Sequence, residues 1–251
     1  MSTPAASNGW GWLDASTDDR PPAPVVALPP RRRPARTVVV VGAAGGAGTS
    51  VLSVLAADAR AAAGQHAVWI DRSATGDAAN RITTPSGSDA ADALVRSVSG
   101  AQLLTGERGS LSEVVETAPA GASVVLDAGV LDDPARWPGE VSVLLVIAAR
   151  PDTANRSKAA LAALDVAGLL EHATVVVSCL DPWAAHLVGH RLTEALSRRA
   201  GRVLLWDYDP HLGSGGPIDP AQLASSTTLL LSRLEQPHLD GDAGSVAGEQ
   251  S

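Results

Sequence analysis

Residues 37–50 read TVVVVGAAGGAGTS. The stretch opens with a run of valines typical of a buried strand and continues into a glycine-rich loop. A helical pattern of apolar residues follows at once, over residues 50–63. A strand, a glycine loop and a helix N-terminus together form a nest of backbone N–H groups suited to an anion. The stretch therefore predicts an α/β protein with an anion site after its first strand.

The same alternation of strand and helix patterns continues along most of the chain. Strands are predicted at residues 37–41, 66–70, 123–126, 141–148, 174–179 and 202–206, and helices at residues 50–63, 155–170 and 183–199. Short β-branched runs between amphipathic helices indicate a mostly parallel sheet flanked by helices on both faces. In such sheets ligands bind at the carboxyl ends of the strands, where we expect the chemistry of this protein.

The two ends of the chain differ from its middle. Residues 1–36 are rich in Pro, Ala and Ser without apolar periodicity, which predicts a disordered arm. Residues 37–234 are expected to form one domain. Residues 235–251 are acidic and glycine-rich, which predicts a disordered tail and excludes an amphipathic membrane-anchoring helix there.

Composition excludes several classes of function. The net charge is −8, so no global positive field would draw the protein to nucleic acid. No signal peptide is evident and no apolar stretch reaches the ~18 residues of a membrane span, so we expect a cytoplasmic protein without a direct membrane anchor. Cys179 is the sole cysteine, which excludes an internal disulfide.

The glycine loop resembles the P-loop of the MinD/ParA family, K-G-G-x-G-K-[ST]. Residues 44–50, AGGAGTS, match that motif at each glycine and at the final hydroxyl, but Ala44 and Thr49 replace its two lysines. The resemblance covers roughly residues 37–234 and implies a P-loop NTPase fold. It also implies that the nucleotide would be held by the loop residues Gly45, Gly46, Gly48, Thr49 and Ser50.

Three later segments are similar to those of the family, in the same order. Asp71 follows the second strand like the family's switch aspartate, which positions the attacking water, and would here be a vestigial catalytic residue. Asp127 ends an apolar strand like a Walker B aspartate, and with Ser50 it would hold Mg²⁺. The run WDYDP, residues 206–210, resembles the loop that borders the adenine, which implies base contacts from Asp209 and Pro210.

The form without lysines also resembles divergent MinD-like proteins of actinobacteria associated with Flp/Tad pili and with septum-site placement. That resemblance implies a localisation or assembly factor for a secretion, pilus or division apparatus. We expect a pseudo-ATPase that binds ATP or ADP with Mg²⁺ weakly or not at all. The alternative is a working ATPase in which Arg72 or Arg150 replaces the missing lysine. A homodimer is compatible with the sequence, which leaves the oligomeric state open.

Two other enzyme classes match parts of the sequence but lack residues that their chemistry requires. The glycine spacing of residues 42–48 also fits short-chain dehydrogenases, but these enzymes need a Tyr four residues before a Lys, where this chain has Ala154 before Lys158. His186 and His190 lie one helical turn apart, but a zinc protease needs a glutamate base where Leu187 stands. Neither chemistry has its required residues.

The N-terminal arm is predicted to capture a protein partner. Trp10, Trp12 and Leu13 place apolar side chains in an otherwise polar segment, where they would remain in water unless a partner buries them. Pull-downs from native lysate should therefore recover less partner with Trp10→Ala/Trp12→Ala, or with a chain beginning at Arg36, than with the full chain. Equal recovery by all three proteins would mean that the arm is only a tether.

Overall fold

The structure is a computed structural model that describes residues 36–72, 81–82, 96–105, 110–137 and 141–236. Most of the predicted arm, with Trp10 and Trp12, and most of the predicted tail lie outside these residues. The first strand begins at Arg36 and the last helix ends at Glu235.

In the described part of the chain, seven parallel strands form one sheet. They are β1 Arg36–Gly42, β2 Ala67–Asp71, β3 Gln102–Thr105, β4 Ser123–Val130, β5 Ser142–Ala148, β6 Ala173–Ser178 and β7 Arg202–Trp206. Their order across the sheet is β3-β2-β4-β1-β5-β6-β7, and every neighbouring pair is parallel. This confirms the predicted fold class, and the carboxyl ends of all seven strands lie at one edge.

The helices pack on both faces of the sheet. They are α1 Thr49–Ala62, α2 Leu111–Glu116, α3 Ala154–Val166, α4 His190–Leu196, α5 Pro210–Gly213 and α6 Ser225–Glu235. Successive valines of β1 face opposite sides of the sheet. Val40 packs in the cluster that includes Leu55 of α1 and Leu230 of α6, whereas Val41 packs in the cluster that includes Leu164 of α3. Each fully buried side chain of this kind contributes about 1.5–3 kcal/mol. Because both faces are covered, β1 reads as a continuous apolar run.

The helix predicted over residues 183–199 is interrupted. Ala185–Gly189 forms a π-helical turn, and α4 extends only over His190–Leu196. Gly189 packs tightly against the sheet, since a Cβ there would lie 3.0 Å from Cys179 Sγ and 3.1 Å from Leu205 Cδ1. The prediction of one regular helix was wrong because the pattern does not reveal this close approach.

Four elements were not predicted from the pattern: β3, α2, α5 and α6. The helix α2 begins with a capping box, in which Ser110 accepts from the N–H of Glu113 and the Glu113 carboxylate accepts from the N–H of Ser110. The polar start of α6, SSTT at residues 225–228, gives no strong local helix signal. Among the described residues, no helix is both long and apolar enough to cross a lipid bilayer.

Candidate functional site

The glycine loop, residues 42–50, lies at the carboxyl edge of the sheet between β1 and α1. Gly46 and Gly48 have φ values of 71° and 89°, a left-handed conformation that glycine adopts without strain. Gly48 is the N-cap of α1, and neither a side-chain cap nor an acidic residue in the first turn neutralises that helix end. Since the first N–H groups of a helix have no acceptor within it, the loop presents donors and the positive end of the helix dipole to an anion.

Close packing sets the shape of the loop. A Cβ on Gly48 would lie 3.4 Å from both Ser178 Oγ and the ring of Trp206, so the loop rests directly on the ends of β6 and β7. A Cβ on Gly42 would lie 2.5 Å from Thr49 Oγ1, which shows that the Thr49 hydroxyl is turned toward the end of β1. Gly42 is therefore required by a close approach, whereas at Gly48 it is the left-handed φ of 89° that favours glycine.

The two positions that carry lysine in the similar motif hold small, buried side chains. Ala44 is 4% exposed and Thr49 is 8% exposed. Gly45 and Gly46, between them, are exposed to solvent. The loop thus keeps an open backbone surface, but no residue from 42 to 50 supplies a positive charge.

The register of the sheet brings the two predicted aspartates together, because Asp71 and Asp127 are direct partners in the pairing of β2 with β4. The Asp127 carboxyl is fully buried, and its Oδ1 accepts from the N–H of Gly129 at 3.0 Å. Its Oδ2 has no hydrogen-bond partner in the described part of the chain. Burial raises the pKa of Asp127, opposed by the nearby Ser50 hydroxyl and the Gly129 N–H, while the charge of Asp71 raises it further.

Ser53 and Trp69 are two supporting residues that the sequence reasoning missed. The indole Nε1 of Trp69 donates to Ser53 Oγ at 2.9 Å, and Ser53 Oγ donates to the carbonyl of Ser50 at 2.8 Å. Both side chains are buried. This chain of hydrogen bonds ties the first turn of α1 to β2 and so fixes Ser50. The spacing of Ser53 from Ser50, one helical turn, was the available signal.

Asp209 holds the loop after β7 to the last helix. Its Oδ1 accepts from the N–H groups of His211 at 3.0 Å and Leu212 at 3.4 Å. Its Oδ2 accepts from the N–H of Ala224 at 2.9 Å and the Thr227 hydroxyl at 2.8 Å. Burial acts to raise the pKa of Asp209, but these hydrogen bonds outweigh it and hold the pKa below its usual value. The carboxylate therefore has a structural role in this loop.

Pro210 and the two arginines considered as replacements also lie at the carboxyl edge. Pro210 is exposed and opens α5, and base contact by Asp209 and Pro210 stays a prediction. The N–H of Arg72 donates to the carbonyl of Asp127 at 3.0 Å, which places Arg72 beside the acidic pair. The Arg150 side chain is 45% exposed, with its Nε 3.6 Å from Asp152 Oδ1. Neither arginine belongs to the glycine loop.

Solved structures of MinD and ParA proteins share this fold. The MinC:MinD cell division protein complex of Aquifex aeolicus matches with a TM-score of 0.56 and 16% identity, over 86% of this chain and 99% of that chain. A ParA family ATPase from Chlorobium tepidum TLS matches with a TM-score of 0.54 and 14% identity, over 80% and 99%. The MinD cell division protein of Aquifex aeolicus matches with a TM-score of 0.53 and 18% identity, over 80% and 97%. No family model and no curated protein matches the sequence. At these identities the likeness shows the MinD/ParA fold alone.

The structural role of Asp209 predicts a pH-dependent loss of stability. Asp209→Asn replaces the acceptor for Ala224 and Thr227, and we expect it to lower the free energy of unfolding by about 1–3 kcal/mol at pH 7. Because the folded pKa lies below the unfolded value of 3.8, the stabilisation is present above that value and is lost as the pH falls through the folded pKa. The measurement is urea unfolding of both proteins from pH 7 downward.

The matched control is Asp133→Asn. Asp133 also caps a short helical turn, but its side chain is 46% exposed and its Oδ1 accepts from a single N–H, that of Ala135, at 3.2 Å. Asparagine caps as well as aspartate at such a position, so the change should stay within about 0.5 kcal/mol. Equal losses in the two variants would contradict the role assigned to Asp209.

Proposed function

We propose that this chain is a MinD/ParA-like protein that acts as a localisation or assembly factor for a secretion, pilus or division apparatus, with little or no ATP hydrolysis. The observation that supports this most directly is the combination of a well-shaped glycine loop with small, buried side chains at Ala44 and Thr49. The loop offers backbone donors to an anion, while the cationic groups of a working P-loop are replaced.

The missing lysine lowers affinity for a nucleotide and removes catalysis. Hydrogen bonds to charged groups contribute about 1.5–3 kcal/mol, so the loss of one costs roughly 10- to 100-fold in affinity. Phosphoryl transfer depends mainly on charges placed at the transferring group. Asp71 would position a water molecule beside the site, but the loop lacks the positive charge that would stabilise the transition state. This supports weak binding and a vestigial role for Asp71.

The residues around Asp127 fit a magnesium ion. The buried Asp127 Oδ2 lacks a hydrogen-bond partner among the described residues, and the Ser50 hydroxyl lies near the carboxyl group. Hydroxyl and carboxylate oxygens are ligands that Mg²⁺ prefers. Ser50 and Asp127 would thus hold Mg²⁺, which when bound neutralises phosphate charge. With Mg²⁺ held in this way but the lysine missing from the loop, we propose that ATP or ADP binds weakly.

Exposed apolar side chains in the segment that follows β6 support a role through protein contacts. Trp183 is 72% exposed and Leu187 is 67% exposed. The N–H of Leu187 donates to the carbonyl of Trp183 at 3.1 Å, so the two residues lie one turn apart. Large apolar side chains in water at one place commonly mark an interaction surface. One of the similar structures, MinC:MinD, is a cell division protein complex, in accord with such a role.

The alternative function is a working ATPase that uses Arg72 or Arg150. Arg72 is the better placed, because its backbone N–H donates to the carbonyl of Asp127. Arg150 is half exposed and lies near Asp152, which competes for its charge. Activity measurements on substitutions of these two residues separate this function from the proposed one.

Purified protein is expected to release no phosphate from Mg²⁺–ATP above a buffer blank, because neither lysine of the P-loop motif is present. Phosphate release is measured with the full chain and with Asp71→Ala, which identifies activity from contaminating enzymes. A turnover near ~1 s⁻¹ that disappears in Asp71→Ala would contradict the proposal. If it disappears in Arg72→Gln or Arg150→Gln as well, the arginine-dependent ATPase is the correct function.

Thr49→Lys is expected to raise the affinity for ATP by about tenfold or more, because the substitution restores one charge-assisted contact to the phosphates. Calorimetry with Mg²⁺–ATP gives the dissociation constants. Thr49→Met is the matched control, since it adds a long side chain at the same position without a charge. No gain in a folded Thr49→Lys protein, or an equal gain in Thr49→Met, would show that the loop does not receive phosphates.

A further inference from the structure

A cavity lies at the amino edge of the sheet, on the side away from the glycine loop. Strands β1 and β7 begin there, and α6 ends there. The cavity has a volume of about 40 Å³, which exceeds the ~10–15 Å³ that one water molecule needs. Its polar lining includes Arg36, Arg60, His172, Thr174, Arg202 and Glu235.

Arg60 is the most unusual residue of this cavity. It lies on α1 with only 2% of its surface exposed, and its Nε donates to Glu235 Oε1 at 3.0 Å. Its Nη1 is buried and has no hydrogen-bond partner in the described part of the chain. Burial lowers the pKa of Arg60, and the carboxylate of Glu235 opposes that shift. Arg60 lines the cavity, and a buried charged donor without an acceptor is destabilising, so an acceptor that reaches this guanidinium from the cavity would be favoured.

The cavity carries an excess of positive charge. Among the residues that the structure describes, three arginines line the cavity and Glu235 is the one acidic residue in its lining. Arg202 donates to the carbonyls of Gln236, at 3.2 Å, and of Arg233, and these carbonyls are neutral acceptors. The positive charge of Arg36 repels that of Arg60. An anion in the cavity would reduce this repulsion and would accept from the guanidinium groups.

We propose that this cavity binds a small oxyanion of the phosphate type, held by Arg60, Arg36 and Arg202. Guanidinium groups present paired N–H donors that match the oxygens of phosphate. The volume admits such an ion but not a nucleotide. The site is separate from the glycine loop, since the two lie at opposite edges of the sheet, and it does not depend on the function proposed above.

Inorganic phosphate is the probe, and the ring signals of His172 are the local reporter in NMR spectra of the full chain. Phosphate replaces chloride at constant ionic strength. We expect the His172 signals to move saturably, while the indole signal of Trp206, which packs against Gly48, reports any phosphate in the glycine loop separately. Arg60→Gln should weaken the response at His172 about tenfold. Arg36→Gln, at the exposed start of β1, should weaken it roughly threefold.

Arg198→Gln is the matched control. Arg198 is exposed on the surface next to α4, where it pairs with Glu194 at 3.3 Å, and its loss should leave the response of His172 unchanged. Arg36→Gln keeps the test decisive if the buried Arg60→Gln variant fails to fold. Absence of a saturable shift at His172 when phosphate replaces chloride, or unchanged affinity in a folded Arg36→Gln variant, would each overturn the proposal.

Discussion

The rest of the structure depends on the pairing of β1 with β4 on one side and β5 on the other. The pairing continues past the strand itself: the N–H of Leu131 donates to the carbonyl of Gly42 at 2.8 Å, and the N–H of Ala43 donates to the carbonyl of Val146 at 2.9 Å. Because neighbouring strands fix both sides of the chain at Gly42, the glycine loop starts from a rigid position. The direction of α1 and the place of Ser50 follow from it.

The same pairing assembles a site from residues far apart in sequence. Asp71 and Asp127 become neighbours because β2 and β4 run parallel with those residues in register. A shift of one residue would turn one of the two carboxyl groups to the other face of the sheet. The order of the strands, with β4 between β2 and β1, then places the aspartates beside the glycine loop. The strand register therefore brings the two carboxyl groups together, and the strand order places them next to the glycine loop.

Sequence reasoning identified the elements with strong local signals and missed those stabilised by distant contacts. The valine run of β1 and the glycine loop are local patterns, and they predicted the fold class. By contrast, α6 starts with serines and threonines that are weak helix formers. It is held by Thr227, whose hydroxyl donates to Asp209 and accepts from Trp206 Nε1 at 3.2 Å. No pattern within the helix contains that information, and the short edge strand β3 was missed for a similar reason.

The shape of a glycine loop and the charge of its side chains have different physical origins, so a loop can have this shape without carrying a positive charge. Here the shape is maintained by folding, through the left-handed backbone of Gly46 and Gly48 and the contact of Gly48 with Trp206. A lysine contributes nothing to these interactions, and a cation in the 8% exposed position of Thr49 would lose hydration without a phosphate to compensate it. The stability of the folded state therefore favours the glycines, and it gains nothing from a lysine at position 49. Only selection for phosphate binding or transfer would retain the charge, and a well-formed glycine loop by itself is consequently not evidence of catalysis.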